Sequence, residues 1–476
     1  MTDILYLSTE ELRAAFASGD LRPADALQAV LAHVREVDPA INAVPFRADE
    51  EQLRTEAEAS AQRWASGTQL GALDGIPVTI KDSLPAAGMP WRHGSAPNAS
   101  LPASTADSIP VQRLREAGTL IIGKTAMPDF GMLGTGVSSM YGVVRNPWDL
   151  ATTPGGSSAG AGAALAAGIG WAAIGTDIAG SVRMPASYCG LVALKPTQGR
   201  IPYLPSSNVR SAGPMARTVS EALDMYDVIS QPDPRETHGL PPEADPTAAF
   251  APQGARIGVV LDMGYGFAPS VAVSEAVTRA ARLAEAHGAT VDFLPPIFED
   301  DPYDPLDQLF QARALAEVEG FSPEDQARVL PEVARWARRA AGMSGTDYER
   351  ALGQVLRSQL HVAAALRPYD LVLSPTRPVA SLPAESVGLD PDRPLADTSF
   401  TCWYNQTGQP AASLCFGFET GHPIGLQLIG PRFSDRMVMS AAGWFEAHRE
   451  LPMDWPFRPR ELAAAGAEAD GWAAPR

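Results

Sequence analysis

The sequence predicts an α/β fold, and three features carry the prediction. From Arg256 the chain alternates strand, helix and strand: RIGVVLD, an amphipathic stretch over 271–287, then TVDFLP. Upstream, two short apolar runs, IPVTIK from Ile76 and TLIIGKT from Thr119, flank the helical segment SIPVQRLREAG. Between 305 and 366 the pattern is nearly all helical, and the strand Asp370-Leu-Val-Leu-Ser-Pro375 then resumes the sheet, so the helical stretch reads as a cap over one end.

Taken in order, Ser8-Thr-Glu-Glu11 has the capping-box pattern and opens a first helix. Arg22-Pro23 introduces a longer amphipathic helix through about Val37, and another spans about Ala48 to Ala65. Ile76-Pro-Val-Thr-Ile-Lys-Asp82 is a short strand that ends in two charges. The helix SIPVQRLREAG has Pro110 in its first turn and Gly118 as its C-cap. The 18 residues from Ala159 to Thr176 carry no charge, which is long enough to span a bilayer. Gly and Ala dominate them, and Asp177 and Arg183 follow, so the expectation is a small-residue helix buried in a protein core, then a short strand. The Pro- and Asp-rich stretches 231–246 and 383–396 read as surface loops within one domain spanning 1–476.

Composition narrows the function. A hydrophobic share of 45% with 19% charged residues describes a soluble globular protein with ample core. The formal charge of -18, with no basic block, argues against nucleic acid or an anionic membrane as partner. The N-terminal MTDILYLSTEEL lacks the basic region of a signal peptide, which points to the cytoplasm. Cys189, Cys402 and Cys415 fit a reduced compartment, and their spacing suggests neither a disulfide framework nor a metal site. Of 37 basic residues only Lys81, Lys124 and Lys195 are lysines. Arginine keeps its proton in a protein whereas a buried lysine can lose it, so a lysine in such a chain either serves where arginine cannot or falls there by chance.

Three motifs compete for the chemistry. GTLIIGKT from Gly118 fits the phosphate-loop pattern, but Thr119 to Ile122 are β-branched or apolar and read as a buried strand rather than a glycine-rich turn. Gly156-Ser-Ser-Ala-Gly160 fits a nucleophile elbow around Ser158. That reading needs a strand before it and a histidine after it; Asp149–Gly155 reads as loop, His361 and His448 as helix-surface residues and His422 as part of a turn. The third is Asp177-Ile-Ala-Gly-Ser181-Val-Arg183, where small residues around a serine suit either an oxyanion-binding cluster of N–H groups or simply tight turns.

Together, GIPVTIKDS around Lys81, PGGSSAG around Ser157, GTDIAGSVRMPASYCGLVALKPTQGR around Ser181, GTLIIGKT and the later NQTGQPAASLCFGFETGHPIGLQLIG resemble the amidase signature family. The resemblance runs from the N-terminal helices to about residue 450, with the signature core over about 70–200. It implies a mixed twisted β-sheet surrounded by α-helices, no cofactor and no metal. It also implies a catalytic Ser-Ser-Lys set: Ser181 as nucleophile, Ser157 as bridging serine after a cis peptide bond, and Lys81 as base. The two serines stand 24 positions apart, as in the family. The oxyanion hole falls on the backbone of Ile178, Ala179, Gly180 and Ser181, with Ser158, Asp177 and Arg183 in support. Ala179 replaces a common glycine and Cys415 a usual proline.

The family cleaves C–N bonds in varied amides, ureas and carbamates. Family analogy places Met127, Gly131 and Met184 at the pocket, together with part of the helical region after 305. Few cations occur in these segments, which favours a neutral, partly apolar amide, with a carbamate or urea-type substrate as the alternative. An amidotransferase A-type subunit typically carries glutamine three residues after the nucleophile, where this chain has Met184. The expected partner is a small-molecule amide or carbamate, and a homodimer is compatible with the pattern.

Overall fold

The computed structural model describes residues 4–460. Along the described chain the strands are β1 (Phe46–Arg47), β2 (Pro77–Lys81), β3 (Leu120–Thr125), β4 (Val137–Ser138), β5 (Gly142–Val143), β6 (Ala172–Asp177) and β7 (Val192–Lys195). After these come β8 (Ser211–Ala216), β9 (Arg256–Val259), β10 (Thr290–Phe293), β11 (Leu371–Pro375), β12 (Ala411–Glu419) and β13 (His422–Ile429). Eleven of them form one sheet in the order β1-β3-β2-β6-β8-β7-β12-β13-β11-β9-β10, while β4 and β5 make a separate hairpin.

The sheet is mixed. β2 runs parallel to β3 and β6, and β9 runs parallel to β10 and β11. The pairs between β6 and β8, β7 and β8, β7 and β12, β12 and β13, and β11 and β13 are antiparallel. Every residue of β2, β3, β6, β7 and β8 is buried, as expected when helices cover both faces of a sheet and both side-chain directions must be apolar or paired.

The local signals find their elements. Ser8 caps the helix Thr9–Ser18 through a capping box with Glu11. The helix begun at Pro23 continues past Val37 to Ile41, carrying Pro39 within it. Asp49 caps Glu50–Ser66, and Gly118, with φ +73°, turns the chain from the helix Ile109–Glu116 into β3. The uncharged stretch forms the wholly buried helix Ala159–Ala166 and then β6. Among the described residues no helix is long and apolar enough to cross a membrane.

The expected helical cap consists of Tyr303–Glu319, Pro323–Gln326, Pro331–Ala337 and Gly345–Leu366. Its buried Phe310, Trp336 and Val355 join Phe400 and Trp403 in a second hydrophobic core. Phe130 and Ala179 belong to that core as well, so the cap packs directly on the loops that leave β3 and β6. In α/β sheets ligands gather outside the carboxyl ends of parallel strands, and the ends of β2, β3 and β6 are where this second core meets the first.

Candidate active site

β2 and β6 are parallel neighbours with Ile80 opposite Ile174, which brings their carboxyl ends to the same edge. Lys81 closes β2 and Asp177 closes β6. The chain after β6 turns through Ile178–Gly180 to Ser181, and Ser157 precedes the buried helix Ala159–Ala166. Residues far apart in sequence thus converge on one point: Lys81 Nζ donates to Ser157 Oγ at 2.8 Å and more weakly to the Thr176 carbonyl at 3.4 Å. The Gly156–Ser157 peptide is cis. Ser157 and Ser181 line the same pocket. Among the described residues Ser181 Oγ has no hydrogen-bond partner, so its hydroxyl is available to a ligand.

Lys81 is fully buried, and burial draws its pKa down to about 7; Asp177 and Asp82 pull it back up, while Arg210 pushes it further down. All three lysines prove to be buried. Lys124 ion-pairs with Asp82 Oδ1 at 3.3 Å and donates to the Leu84 carbonyl at 2.8 Å. Lys195, also lowered to about 7 by burial, donates to the Pro196 carbonyl at 2.6 Å. Only Lys81 among them reaches a serine of the pocket.

The loop carrying Ser181 is braced from beneath. Asp177 and Arg183 are both fully buried and form a forked ion pair, Nη2 to Oδ1 at 2.8 Å and Nε to Oδ2 at 3.0 Å. Arg183 also donates to the Thr401 carbonyl at 2.9 Å, Gln427 Oε1 at 2.8 Å and Asn405 Oδ1 at 2.7 Å. Burial alone would raise the Asp177 pKa, but the Arg183 guanidinium outweighs it and holds the carboxyl well below the usual range.

One expected oxyanion donor is engaged elsewhere. The Gly180 N–H donates to Asp177 Oδ1 at 2.8 Å and is therefore occupied. The N–H groups of Ile178, Ala179 and Ser181 meet no protein acceptor among the described residues. Ser158 is buried beneath the site, its N–H on the Ser181 carbonyl at 3.1 Å and its Oγ 3.4 Å from the Thr176 carbonyl.

No histidine hydrogen-bonds to Ser158: His361 is on the Ile297 carbonyl, His448 on the Trp444 carbonyl and His422 on Asp149. His422 is not in a turn but begins β13. GTLIIGKT forms β3 with Lys124 turned inward, which leaves no phosphate cradle. Among the described residues no three His, Cys, Asp or Glu side chains converge as a metal site requires.

Ser181 stands between two pockets. One contains Ser157, Ser83, His93, Met127 and Tyr203 with Arg210 and Arg313. The other is apolar and includes Met132, Leu133, Met184, Phe310 and Leu395 beside Ile178 and Ala179. Met127 and Gly131 thus line the first pocket, and Met184 the second. The expectation of few cations at the pocket is corrected by Arg210 and Arg313. They come from a loop and a helix that lie far apart in sequence, so neither forms part of a motif. His93 is a further lining residue that no motif announces; burial first, then the nearby cations, lower its pKa to about 3 and keep it neutral.

Gly131 gives a direct test of how tightly this wall is set. Its φ is +74°, and a Cβ there would stand 3.2 Å from Ser157 Oγ and 3.4 Å from Met127 Cε. Gly131→Ala is expected to cost about 1–2 kcal/mol in backbone strain and to slow turnover by about tenfold to a hundredfold through a displaced Ser157. Denaturant titration and steady-state kinetics on one amide would read both; an unaltered rate would show that Ser157 has room to spare.

The Amidase family model matches residues 25–439. The chain is 32% identical over 462 residues to an acylamidase of Rhodococcus erythropolis, covering 93% of this chain and 96% of that one. It is also 32% identical over 475 residues to the A-type subunit of the glutamyl-tRNA(Gln) amidotransferase of Symbiobacterium thermophilum, covering 92% and 95%. Among solved structures, a bacterial aryl acylamidase of the amidase signature family superposes with a TM-score of 0.86 at 25% identity, covering 93% of this chain and 96% of that one. The 6-aminohexanoate cyclic dimer hydrolase in complex with substrate superposes with a TM-score of 0.85 at 28% identity, covering 96% and 100%. This chain belongs to the amidase signature family.

Proposed function

We propose that the protein is an amidase that hydrolyses a small-molecule amide through an ester on Ser181. The observation that carries this reading is the buried Lys81, its pKa lowered to about 7, hydrogen-bonded at 2.8 Å to Ser157 in the pocket that also holds Ser181. Neutral Lys81 takes a proton from Ser157 as Ser157 takes one from Ser181, whose Oγ attacks the amide carbonyl carbon. The developing oxyanion is received by N–H groups of Ile178, Ala179 and Ser181. Ser157 then returns a proton to the leaving nitrogen, the C–N bond breaks, and water hydrolyses the ester by the same relay.

The acylamidase and the amidotransferase component share the same 32% identity with this chain, so similarity alone does not choose between a free hydrolase and part of a complex. Met184, three residues after Ser181, lies in the apolar pocket and favours a hydrolase with an apolar acyl group.

Because Lys81 must be neutral to act, kcat/KM for release of 4-nitroaniline from a short acyl anilide is expected to rise tenfold per pH unit below about pH 7 and to level off above it. A rate that peaks below pH 6 would remove Lys81 as the base. Arg210 helps hold the Lys81 pKa down, so Arg210→Gln is expected to move the midpoint of this rise to higher pH.

A further inference from the structure

Arg210 and Arg313 line the same pocket from two different elements. Arg210 ends the loop before β8, and Arg313 projects from the cap helix Tyr303–Glu319. Arg210 is held in place: its N–H donates to Ser207 Oγ at 3.0 Å, its carbonyl accepts from Gln198 at 3.1 Å, and the neighbouring Val209 carbonyl accepts from Asn405 at 3.1 Å. Its guanidinium carbon lies 4.5 Å from the Tyr203 ring centroid, a cation–π contact that consumes no oxygen acceptor.

Neither guanidinium is satisfied by the protein. Among the described residues neither side chain makes a hydrogen bond or an ion pair, and Arg210 Nε is buried without a partner. The chain has 55 acidic residues for 37 basic ones, so carboxylates are not scarce. Glu317, one turn beyond Arg313, is the only carboxylate on the pocket lining among the described residues; its charge favours the Arg313 cation without an ion-pair contact to either arginine. Partial desolvation and Arg210 lower the Arg313 pKa and Glu317 raises it, yet the Arg313 side chain stands open to solvent, where an entering anion can reach it. An anion bridging the two would offset their mutual repulsion and give the buried Arg210 Nε a partner.

The direction of the chemistry says which half of the substrate carries that anion. The leaving nitrogen must take its proton from Ser157, and Ser157 lies in the pocket with the arginines. Ser181 and Ile178 line both pockets, whereas Ala179, with its free N–H, lines only the apolar one and Ser157 only the other. The acyl chain therefore belongs on the apolar side and the amine on the arginine side. We propose that the substrate is an N-acylated amino acid: an amide whose amine half carries a carboxylate held between Arg210 and Arg313, with an apolar acyl group beside Met184 and Phe310. This inference rests on the amide-hydrolase reading above.

The test compares N-octanoyl glycine, β-alanine, 4-aminobutanoate and 4-aminobenzoate, each against the same amide lacking the carboxylate. At the spacing that fits, kcat/KM is expected to favour the carboxylate by about tenfold or more. In Arg210→Gln and Arg313→Gln that ratio falls to about one, whereas a merely structural role would lower both rates and keep the ratio. Ratios near one throughout for the wild type would overturn the proposal. Binding to Ser181→Ala by calorimetry separates the two readings. Selective binding of the carboxylates without turnover in the wild type would keep the anion subsite and sink the hydrolase; binding with no preference for the carboxylate would sink the subsite.

Discussion

Ser181→Ala is expected to lower hydrolysis of an acyl 4-nitroanilide by about 10⁴- to 10⁶-fold while the protein keeps its fold and binds the substrate. On the proposed mechanism the loss of Ser181 Oγ removes the covalent route altogether, and what remains is the help a positioned water receives from the free N–H groups. Folding is expected to survive because Ser181 Oγ holds no structural hydrogen bond among the described residues. Ser158→Ala provides the contrast. Its hydroxyl sits beneath the site on the Thr176 carbonyl, so its loss is expected to slow turnover by about tenfold. Rapid-quench mass spectrometry adds an independent readout, since an acyl adduct should form on the wild type and be absent from Ser181→Ala. An active Ser181→Ala beside an inactive Ser158→Ala would transfer the nucleophile to Ser158.

The second large effect concerns stability. Arg183→Met leaves Asp177 buried without its forked partner, to be held as an unpaired charge or protonated at a cost, and is expected to destabilise the fold by about 3–5 kcal/mol. The double variant Asp177→Leu with Arg183→Met removes both charges and should recover much of that loss. Activity should not return with stability, because Asp177 Oδ1 also holds the Gly180 N–H and so shapes the turn that presents Ser181. Urea titrations of the single and double variants, each paired with kcat, test this. Full recovery of both quantities in the double variant would reduce the ion pair to a packing device.

The sequence is most informative where function and backbone coincide within a few residues. Lys81 ends a strand whose apolar run is visible in the chain, and the small residues around Ser157 and Ser181 announce tight turns near buried elements. The scarcity of lysine also has meaning, since all three are buried and one meets a pocket serine. Other features depend on pairings that periodicity does not encode. Hydrophobic spacing says which face of the cap helix is buried, not that Arg313 will share a pocket with Arg210. The capture of the Gly180 N–H by Asp177 depends on side-chain orientation within one turn, which residue types leave open. The strand order of the sheet is equally non-local, because β12 and β13 insert between β7 and β11.

The bracing of Arg183 also sets a timetable. Its partners Thr401, Asn405 and Gln427 lie 218, 222 and 244 residues downstream. A chain leaving the ribosome has Lys81, Ser157 and Ser181 long before it has the groups that steady the loop between them. The loop that carries Ser181 therefore lacks this brace through most of synthesis and gains it in full only when β13 docks, so that hydrolysis of the proposed kind would begin with completion of the sheet.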